Sequence, residues 1–244
     1  SSILDNSFNI GRDLGIQLWH SFEPAPNFIL REAVAVSQGE GRNITTGNFG
    51  GYQYTGRLEI LPLGEFEGEG AYVGGDLERE ETPKLAIGAS YDFNQDAVRT
   101  RSNSGTFMVV ENGFHNTDIT TFFLDAIFKY RGFSLMAEYA NREAEDPVAR
   151  DLNGLLTGDI VNIGEAYNIQ GGYVFKNNYE IAGRFSHSDF DRITRLNDES
   201  QYTVGLSKYI VGHKLKIQTD LTYRDFPETS LNTILYRLQF ELHF

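Results

Sequence analysis

The chain has 244 residues, a formal net charge of −13 and no cysteine. The acidic balance argues against a nucleic-acid binder with a basic surface, and the lack of cysteine excludes disulfides, a thiolate nucleophile and cysteine-based metal sites. No run of 18 apolar residues is present, so no transmembrane helix is expected. Phe, Tyr and Gly are abundant (18, 13 and 25) and Pro is rare (6), which is typical of a chain of many strands.

Alternation of apolar and polar residues predicts eleven β-strands and no helix of useful length. In chain order, the predicted strands are 12–22, 28–37, 52–62, 84–94, 118–131, 133–139, 167–176, 179–188, 200–211, 214–224 and 234–244. The alternation is clearest in the last strand, where Ile234, Tyr236 and Leu238 share a face and Arg237 and Gln239 share the other. Each strand is therefore expected to have one apolar and one polar side.

The connections between these strands differ in length at the two ends. Tight turns are expected at 132, 177–178 and 211–213, whereas long loops are expected at 38–51, 95–117, 143–163 and 189–199. No low-complexity linker interrupts the pattern, so residues 1–244 are expected to form a single all-β domain.

A soluble sandwich also alternates apolar and polar faces, but three features favour a membrane barrel. The strands reach about ten residues, which is the length that crosses a bilayer at a tilt. Short turns connect them at one end and long loops at the other, as in outer-membrane barrels. The chain stops at Phe244, and a final strand ending in Phe resembles the assembly signal of bacterial outer-membrane proteins. We therefore predict a transmembrane, antiparallel, up-and-down β-barrel of the bacterial outer membrane, with 11–12 strands in this chain.

Charged side chains are costly against lipid, so the polar faces should line the pore. The strand-borne bases and acids leave a mildly basic lining, although most of these groups are expected to pair across strands. The candidate pore-lining residues are Arg57, Lys129, Arg131, Arg184, Lys214, Lys216, Arg224, Arg237, Glu59 and Asp220. The acidic surplus lies in loops and turns, above all in 65–81. That stretch is interpreted as a solvated turn, with partner docking or cation binding as the less favoured alternatives.

No catalytic constellation is expected. The five histidines are scattered, and His187 points to the opposite face from Ser186 and Ser188 because neighbouring strand residues alternate. The sequence predicts no enzyme, no metal site and no cofactor.

Many short segments together resemble the phosphate-selective porin O/P family, in the form found in Bacteroidota. The segments that carry the resemblance are 11–18, 56–66, 85–94, 97–101, 128–133, 170–175 and 202–209. The resemblance implies a trimeric or monomeric outer-membrane channel for small solutes, with a barrel of sixteen strands. Eleven strands is an odd number, whereas single-chain bacterial barrels have even numbers. Residues 1–244 are thus expected to be the C-terminal two-thirds of a longer porin, unless the remaining strands lie on another chain.

Three functions remain open at this point. The first is a passive diffusion channel for small hydrophilic solutes, biased to anions such as phosphate. The second is a barrel that acts as a structural subunit of a larger envelope complex. The third is a soluble or enzymatic all-β protein. The partners expected are outer-membrane lipid, small solutes or anions, the barrel assembly machinery through the last strand, and a homotrimer or envelope complex, with no nucleic acid.

Overall fold

The computed structural model describes residues 2–42, 44, 47–68, 70–151, 153–212, 214–229 and 231–242. The elements in chain order are α1 (Ile3–Phe8), β1 (Gly15–Ala25), β2 (Phe28–Ser37), β3 (Gln53–Leu61), β4 (Lys84–Ala97), β5 (Arg99–Arg101), β6 (Ser104–Phe107), β7 (Val109–Val110), β8 (Gly113–Phe114), β9 (Thr117–Tyr130), β10 (Phe133–Ala144), β11 (Val148–Arg150), β12 (Leu156–Ile160), β13 (Gly164–Val174), β14 (Tyr179–Phe190), β15 (Glu199–Val211), β16 (Leu215–Phe226) and β17 (Leu231–Leu242). A 3₁₀ helix, Arg192–Thr194, precedes β15.

Eleven strands form one antiparallel sheet in which each strand pairs with the next long strand of the chain. The order is β1-β2-β3-β4-β9-β10-β13-β14-β15-β16-β17. The predicted all-β, antiparallel, up-and-down architecture is confirmed, and it is compatible with a β-barrel. In the described residues β1 and β17 do not pair with each other, so the sheet has two open edges.

The six remaining strands form three small hairpins, β5–β6, β7–β8 and β11–β12, within the long connections. Neither these hairpins nor α1 was predicted, because each is too short for its periodicity to stand out. α1 begins at Ser2, whose hydroxyl accepts a hydrogen bond from the Asp5 amide. In the described part of the chain, no helix is long and apolar enough to cross a membrane.

The register places most apolar residues of the long strands on one face. Leu58 lies opposite Ala89, Ala89 opposite Leu124, and Val204 opposite Leu221. Leu124, Val204 and Leu238 keep 45%, 64% and 55% of their surface exposed, although they lie in the middle of strands. A patch this large signals a surface that contacts something other than water.

The polar face is covered by other parts of the same chain, and the buried apolar residues lie there. α1 packs on β10, β13 and β14, where Phe8 stacks on Phe190 with ring centroids 5.7 Å apart. A second cluster joins Phe66, from the connection between β3 and β4, to Leu61 and Ile127 on the sheet. A third cluster lies among the loops and includes Met108.

Long connections lie at one end of the sheet, as predicted. This end, here called the loop end, carries 38–52, 98–116 and 145–163, together with the shorter 191–198 and 227–230. The opposite end, the turn end, carries 26–27, 131–132, 175–178 and 212–214, but also the long connection 62–83. The turn end is thus uniformly tight apart from that one segment.

The geometry of the turn after β9 requires glycine at position 132, and this requirement can be tested by substitution. Gly132 has φ +93°, and an added Cβ would lie 2.5 Å from the Val174 carbonyl oxygen and 2.4 Å from Arg79 Nη1. We expect Gly132→Ala to lower the free energy of unfolding by about 1–3 kcal/mol, as backbone strain at such positions does. Thermal unfolding in detergent would measure this. Gly183→Ala is the matched control, since its Cβ would meet nothing within 4 Å; equal losses in both variants would contradict this reading of Gly132.

Candidate functional site on the polar face of the sheet

The polar face carries a series of ion pairs, including three between neighbouring strands and one that spans β4 to join β3 and β9. On β3 and β9, Arg57 Nη1 lies 2.6 Å from Asp125 Oδ2. On β16 and β17, Arg237 Nε lies 3.0 Å from Asp220 Oδ1. Two further pairs are Lys216 with Glu241, at 3.1 Å, and Arg224 with Glu199. Direct pairing cancels much of the positive charge that these bases bring to the surface.

Arg184 differs from these bases because its guanidinium has no carboxylate partner within ion-pair distance among the described residues. Its Nε and Nη2 atoms are buried and have no hydrogen-bond partner in that part of the chain. The side chain borders a cavity of about 160 Å³, together with Gln170, Thr203 and Gln218. Arg184 is thus a positive charge on the polar face without a directly bound counter-charge.

The structure places the predicted pore-lining residues in two groups. Arg57, Glu59, Lys129, Arg184, Lys216, Asp220, Arg224 and Arg237 lie on the polar face of long strands. Arg131 and Lys214 lie in exposed turns, one residue outside β9 and β16, and not within the strands on which the alternation placed them. Phe244, the predicted assembly signal, lies outside the described residues.

Three bases on the same face were missed by the sequence reasoning, and one of them is Lys84, the first residue of β4, which lies opposite Lys129. Arg31, on β2, pairs with Glu65 and lies 3.4 Å from Glu59. Arg142 lies in β10 beyond the predicted end of that strand at residue 139. Continuing the alternation from Glu138 by four residues would have placed Arg142 on the polar face.

The connection 62–83 contains the acidic stretch 65–81 that was predicted to be a solvated turn, and it is solvated only in part, with Glu65, Glu67, Glu78 and Glu81 exposed. It folds back over the polar face, and Asp76 and Glu80 are almost fully buried (1% and 2% exposed). Its Tyr72 hydroxyl accepts a hydrogen bond from Arg31 on β2, while its Arg79 donates to the Val174 carbonyl next to the turn after β13. The segment therefore reaches across much of the sheet near the turn end.

Hydrogen bonds to backbone groups hold this segment in place. Lys129 Nζ, on β9, donates to the Gly75 carbonyl oxygen at 3.0 Å. Asp76 accepts from the amides of Gly132, at 2.6 Å, and of Glu80, at 3.1 Å. A carboxylate that accepts buried amides is costly to remove, because both donors would be left without partners.

α1 is held on the same face by the buried Arg142. Its Nη1 and Nη2 donate to the carbonyl oxygens of Ser7 and Phe8, at 3.1 and 2.7 Å, and its Nε donates to the Thr121 hydroxyl. The last carbonyls of a short helix lack partners within the helix, and a cation there satisfies them. This guanidinium therefore fixes the helix across the middle strands of the sheet.

A hydrogen-bond network near the loop end anchors residues 9–13 to the sheet. Asp92 is fully buried and accepts from Gln53 Nε2 at 2.8 Å and from the Thr55 hydroxyl at 2.6 Å. Asn103 links this network to residues 9–13, since it donates to Gln53 Oε1 and to the Gly11 carbonyl oxygen.

Between α1 and the 62–83 segment a cavity of about 410 Å³ remains, bordered by Arg57, Asp125 and Glu138.

The histidines do not assemble a catalytic group in the described part of the chain. His187 Nδ1 lies 2.9 Å from the Ser200 hydroxyl on the next strand, a serine that the sequence reasoning did not consider. No carboxylate hydrogen-bonds to the His187 ring among the described residues, so the orienting member of a triad is missing. Within the same residues, no group of three or more His, Asp or Glu side chains is placed to hold a metal ion.

Comparisons with known proteins found one relevant likeness. No protein-family model and no curated protein matches the chain. Among solved structures, a porin refined at 1.8 Å resolution superposes with a TM-score of 0.48 and 16% sequence identity. The superposition covers 93% of this chain and 62% of that porin, so the chain spans less than two thirds of the porin's length.

The role of Asp76 in holding the 62–83 segment can be tested by substitution. Asp76→Ala leaves the amides of Gly132 and Glu80 without their acceptor, and each lost partner should cost about 1–3 kcal/mol. We expect faster hydrogen exchange at residues 74–80 in the folded protein, with the strand amides of β16 unchanged. Glu78→Ala is the control, because Glu78 is exposed. Equal exchange in wild type and Asp76→Ala would contradict the anchoring role.

Docking of the segment should depend on pH through Glu80. Burial raises the pKa of the Glu80 carboxyl above its ordinary value of 4.5, although the Glu67 amide partly opposes this by donating to it. In the docked state the Glu80 carboxyl therefore stays protonated to a higher pH than in the undocked state. Docking is strongest below about pH 4.5 and weakens as pH rises through the raised pKa. Hydrogen exchange corrected for its intrinsic pH dependence would measure this. Glu80→Gln should flatten the profile, and Glu78→Gln should retain it.

Proposed function

We propose that this chain forms the wall of a passive diffusion channel in a bacterial outer membrane and admits small hydrophilic solutes. The observation that carries the proposal is the two-faced sheet. One face is apolar and exposed over eleven strands, and the other carries charged pairs, cavities and buried polar networks. A membrane-spanning barrel requires this arrangement, with lipid on one side and water on the other.

Strand lengths and aromatic positions support this placement. The long strands have 9–14 residues, against the 9–11 that a tilted strand needs to cross the hydrocarbon layer. Aromatic side chains lie on the apolar face near both ends of the sheet, as at membrane–water interfaces. Those near the turn end include Tyr130, Phe133, Tyr173, Phe175 and Tyr179, and those toward the loop end include Tyr167, Tyr202 and Tyr223.

The unequal lengths of the connections at the two ends of the sheet support an orientation of the sheet in the membrane. Outer-membrane barrels have short periplasmic turns and longer external loops. The loop end is accordingly assigned to the outside and the turn end to the periplasm, which makes 62–83 a periplasmic segment folded into the pore. Assembly through the last strand, with Phe244 as the signal, belongs to the same proposal.

The two open edges support completion of the wall by further strands, supplied by a longer chain or by another one. An edge strand with unpaired backbone groups is not stable in hydrocarbon, because every N–H and C=O must be satisfied there. A sixteen-strand barrel of the phosphate-selective porin O/P type, with this chain as its C-terminal two-thirds, is the form that the sequence resemblance favours.

We further propose that the positive charge of Arg184 biases the pore toward anions. Most other bases of the polar face are paired with carboxylates, so their fields are largely cancelled at a distance. Arg184 has no such partner among the described residues, and phosphate or another small anion is the solute that its charge would attract.

A structural subunit of an envelope complex is the second candidate, and one observation favours it. α1 and the 62–83 segment cover a large part of the polar face, which would narrow or close a pore. Single-channel recording of the full-length protein in planar bilayers separates the two functions. A stable open conductance is expected for a channel, whereas a folded barrel without conductance would leave the structural role.

The contribution of Arg184 can be measured in the same recordings from reversal potentials in a salt gradient. One unit positive charge about 10 Å from a permeating ion in water stabilises an anion by ~0.4 kcal/mol and destabilises a cation by the same amount, so Arg184→Gln should reduce the anion-to-cation permeability ratio about fourfold. Lys208→Gln is the matched control, because Lys208 lies on the other face and donates to the Asn177 carbonyl at the turn end. An unchanged ratio in Arg184→Gln would contradict the assignment.

A further inference from the structure

A large aromatic side chain lies exposed on the polar face, near the middle of a long strand. Trp19 is the fifth of eleven residues in β1, and its register partner on β2 is Ala33. Ala33 in turn lies opposite Arg57 on β3, so the three side chains share the polar face. Trp19 is 75% exposed, whereas Phe8 and Phe66, the rings that other segments bring to this face, are buried. The indole is therefore accessible from the side that the proposed pore occupies.

Two alanines leave a groove beside this indole. The groove consists of two rows of register partners across β1, β2 and β3, which are Trp19–Ala33–Arg57 and Gln17–Ala35–Thr55. Because alanine side chains are short, β2 forms a floor between two higher walls that stand about 10 Å apart, or two strand spacings. A cavity of about 540 Å³ lies over this floor, and residues 10–13 border it at the loop end. That volume is typical of a site for a small molecule.

The charges around the groove are compensated. Of the described residues that border the cavity, Arg12, Asp13 and Arg57 are charged. Arg57 binds Asp125 through both terminal nitrogens, at 2.6 and 2.9 Å, and Arg12 and Asp13 bring one charge of each sign. The groove thus differs from the surroundings of Arg184, and it favours an uncharged ligand over an ion.

Hydrogen-bonding groups without net charge remain available along the walls. Gln17 is exposed, and its amide can both donate and accept. Arg57 bonds to Asp125 and Ser90 through its terminal nitrogens, and its Nε has no hydrogen-bond partner among the described residues. The Thr55 hydroxyl donates to Asp92 and can still accept. One wall therefore offers a flat apolar surface, and both walls offer donors or acceptors.

We propose that the groove formed by Trp19, Gln17, the two alanines, Thr55 and Arg57 binds the ring of a neutral saccharide on its way through the pore. The inference rests on the proposed function, to which it adds an uncharged class of solute. A sugar ring carries C–H groups on its faces and hydroxyl groups around its edge. Its face stacks on the indole, while its hydroxyls bond to Gln17 and to Arg57 Nε.

The groove leads toward the interior of the polar face. Ile10, Thr55 and Arg57 border both this cavity and the cavity of about 410 Å³ beside α1, so the two are neighbours. A further strand paired with β1 would lie about 4.8 Å from it, on the side away from β2. Such a strand would complete the wall beside Trp19 and would leave the alanine floor open, so the site is compatible with a closed barrel.

Titration of the full-length protein with maltose tests the site through two readouts. Trp19 is the only tryptophan among the 244 residues, so the difference in tryptophan fluorescence between wild type and Trp19→Leu reports its environment. In planar bilayers, maltose in the groove should lower the ion current, which gives a dissociation constant for each variant. Trp19→Leu keeps an apolar side chain but removes the aromatic face, and it should raise this constant about fivefold.

A matched control and a second variant exclude indirect effects. Phe22→Leu is the control, because Phe22 is an aromatic residue of the same strand on the apolar face, opposite Leu30. It should leave the dissociation constant unchanged. Ala33→Leu fills the floor of the groove and should abolish the block by maltose, with circular dichroism to confirm folding.

The outcomes separate this inference from the proposed function. A folded protein without ion current would overturn the channel, and its fluorescence would still test the groove. A conducting protein whose current and fluorescence do not respond to maltose would overturn only the saccharide site. Equal dissociation constants in wild type and Trp19→Leu would overturn it as well, and so would a fluorescence response to inorganic phosphate or adenine without one to maltose.

Discussion

The whole structure depends on the period of two along a strand, which assigns every side chain to one of two faces. In β14, Glu180, Arg184 and Ser186 share the polar face while Ile181 and Phe185 share the other. A slip of one residue between neighbouring strands would turn the bases toward the apolar side. The cost of charges on that side therefore helps to hold the register of all eleven strands, and with it the position of every candidate pore residue.

Buried charges that bind backbone groups hold the elements on the polar face. Lys129 binds a carbonyl of the 62–83 segment, Arg142 binds two carbonyls of α1, and Asp76 accepts two amides. In each case the charge is satisfied by peptide dipoles and not mainly by an opposite charge. Such contacts are directional and costly to break, so they can keep a connecting segment inside a polar interior that offers little apolar area.

The part of the site predictable from the sequence is the part that lies within regular strands. The face of Arg57, Lys216 and Arg237 follows from alternation alone and agrees with the structure. Arg131 and Lys214 were misplaced because alternation ends in the turns, where the direction of a side chain depends on local backbone angles. Arg142 was missed because β10 extends five residues beyond its predicted end, through pairing with β9 that a single strand's pattern does not contain.

By itself, the sequence determined the number of long strands, their faces and the contrast between tight turns and long loops, since these depend on residues adjacent along the chain. The tertiary structure alone decided that 62–83 and α1 lie on the polar face. Contacts such as Arg142 with Phe8 and Asp76 with Gly132 join residues 134 and 56 positions apart. Composition indicated only that 62–83 is acidic, and whether an acidic segment is solvated or buried depends on the donors that the fold brings to it.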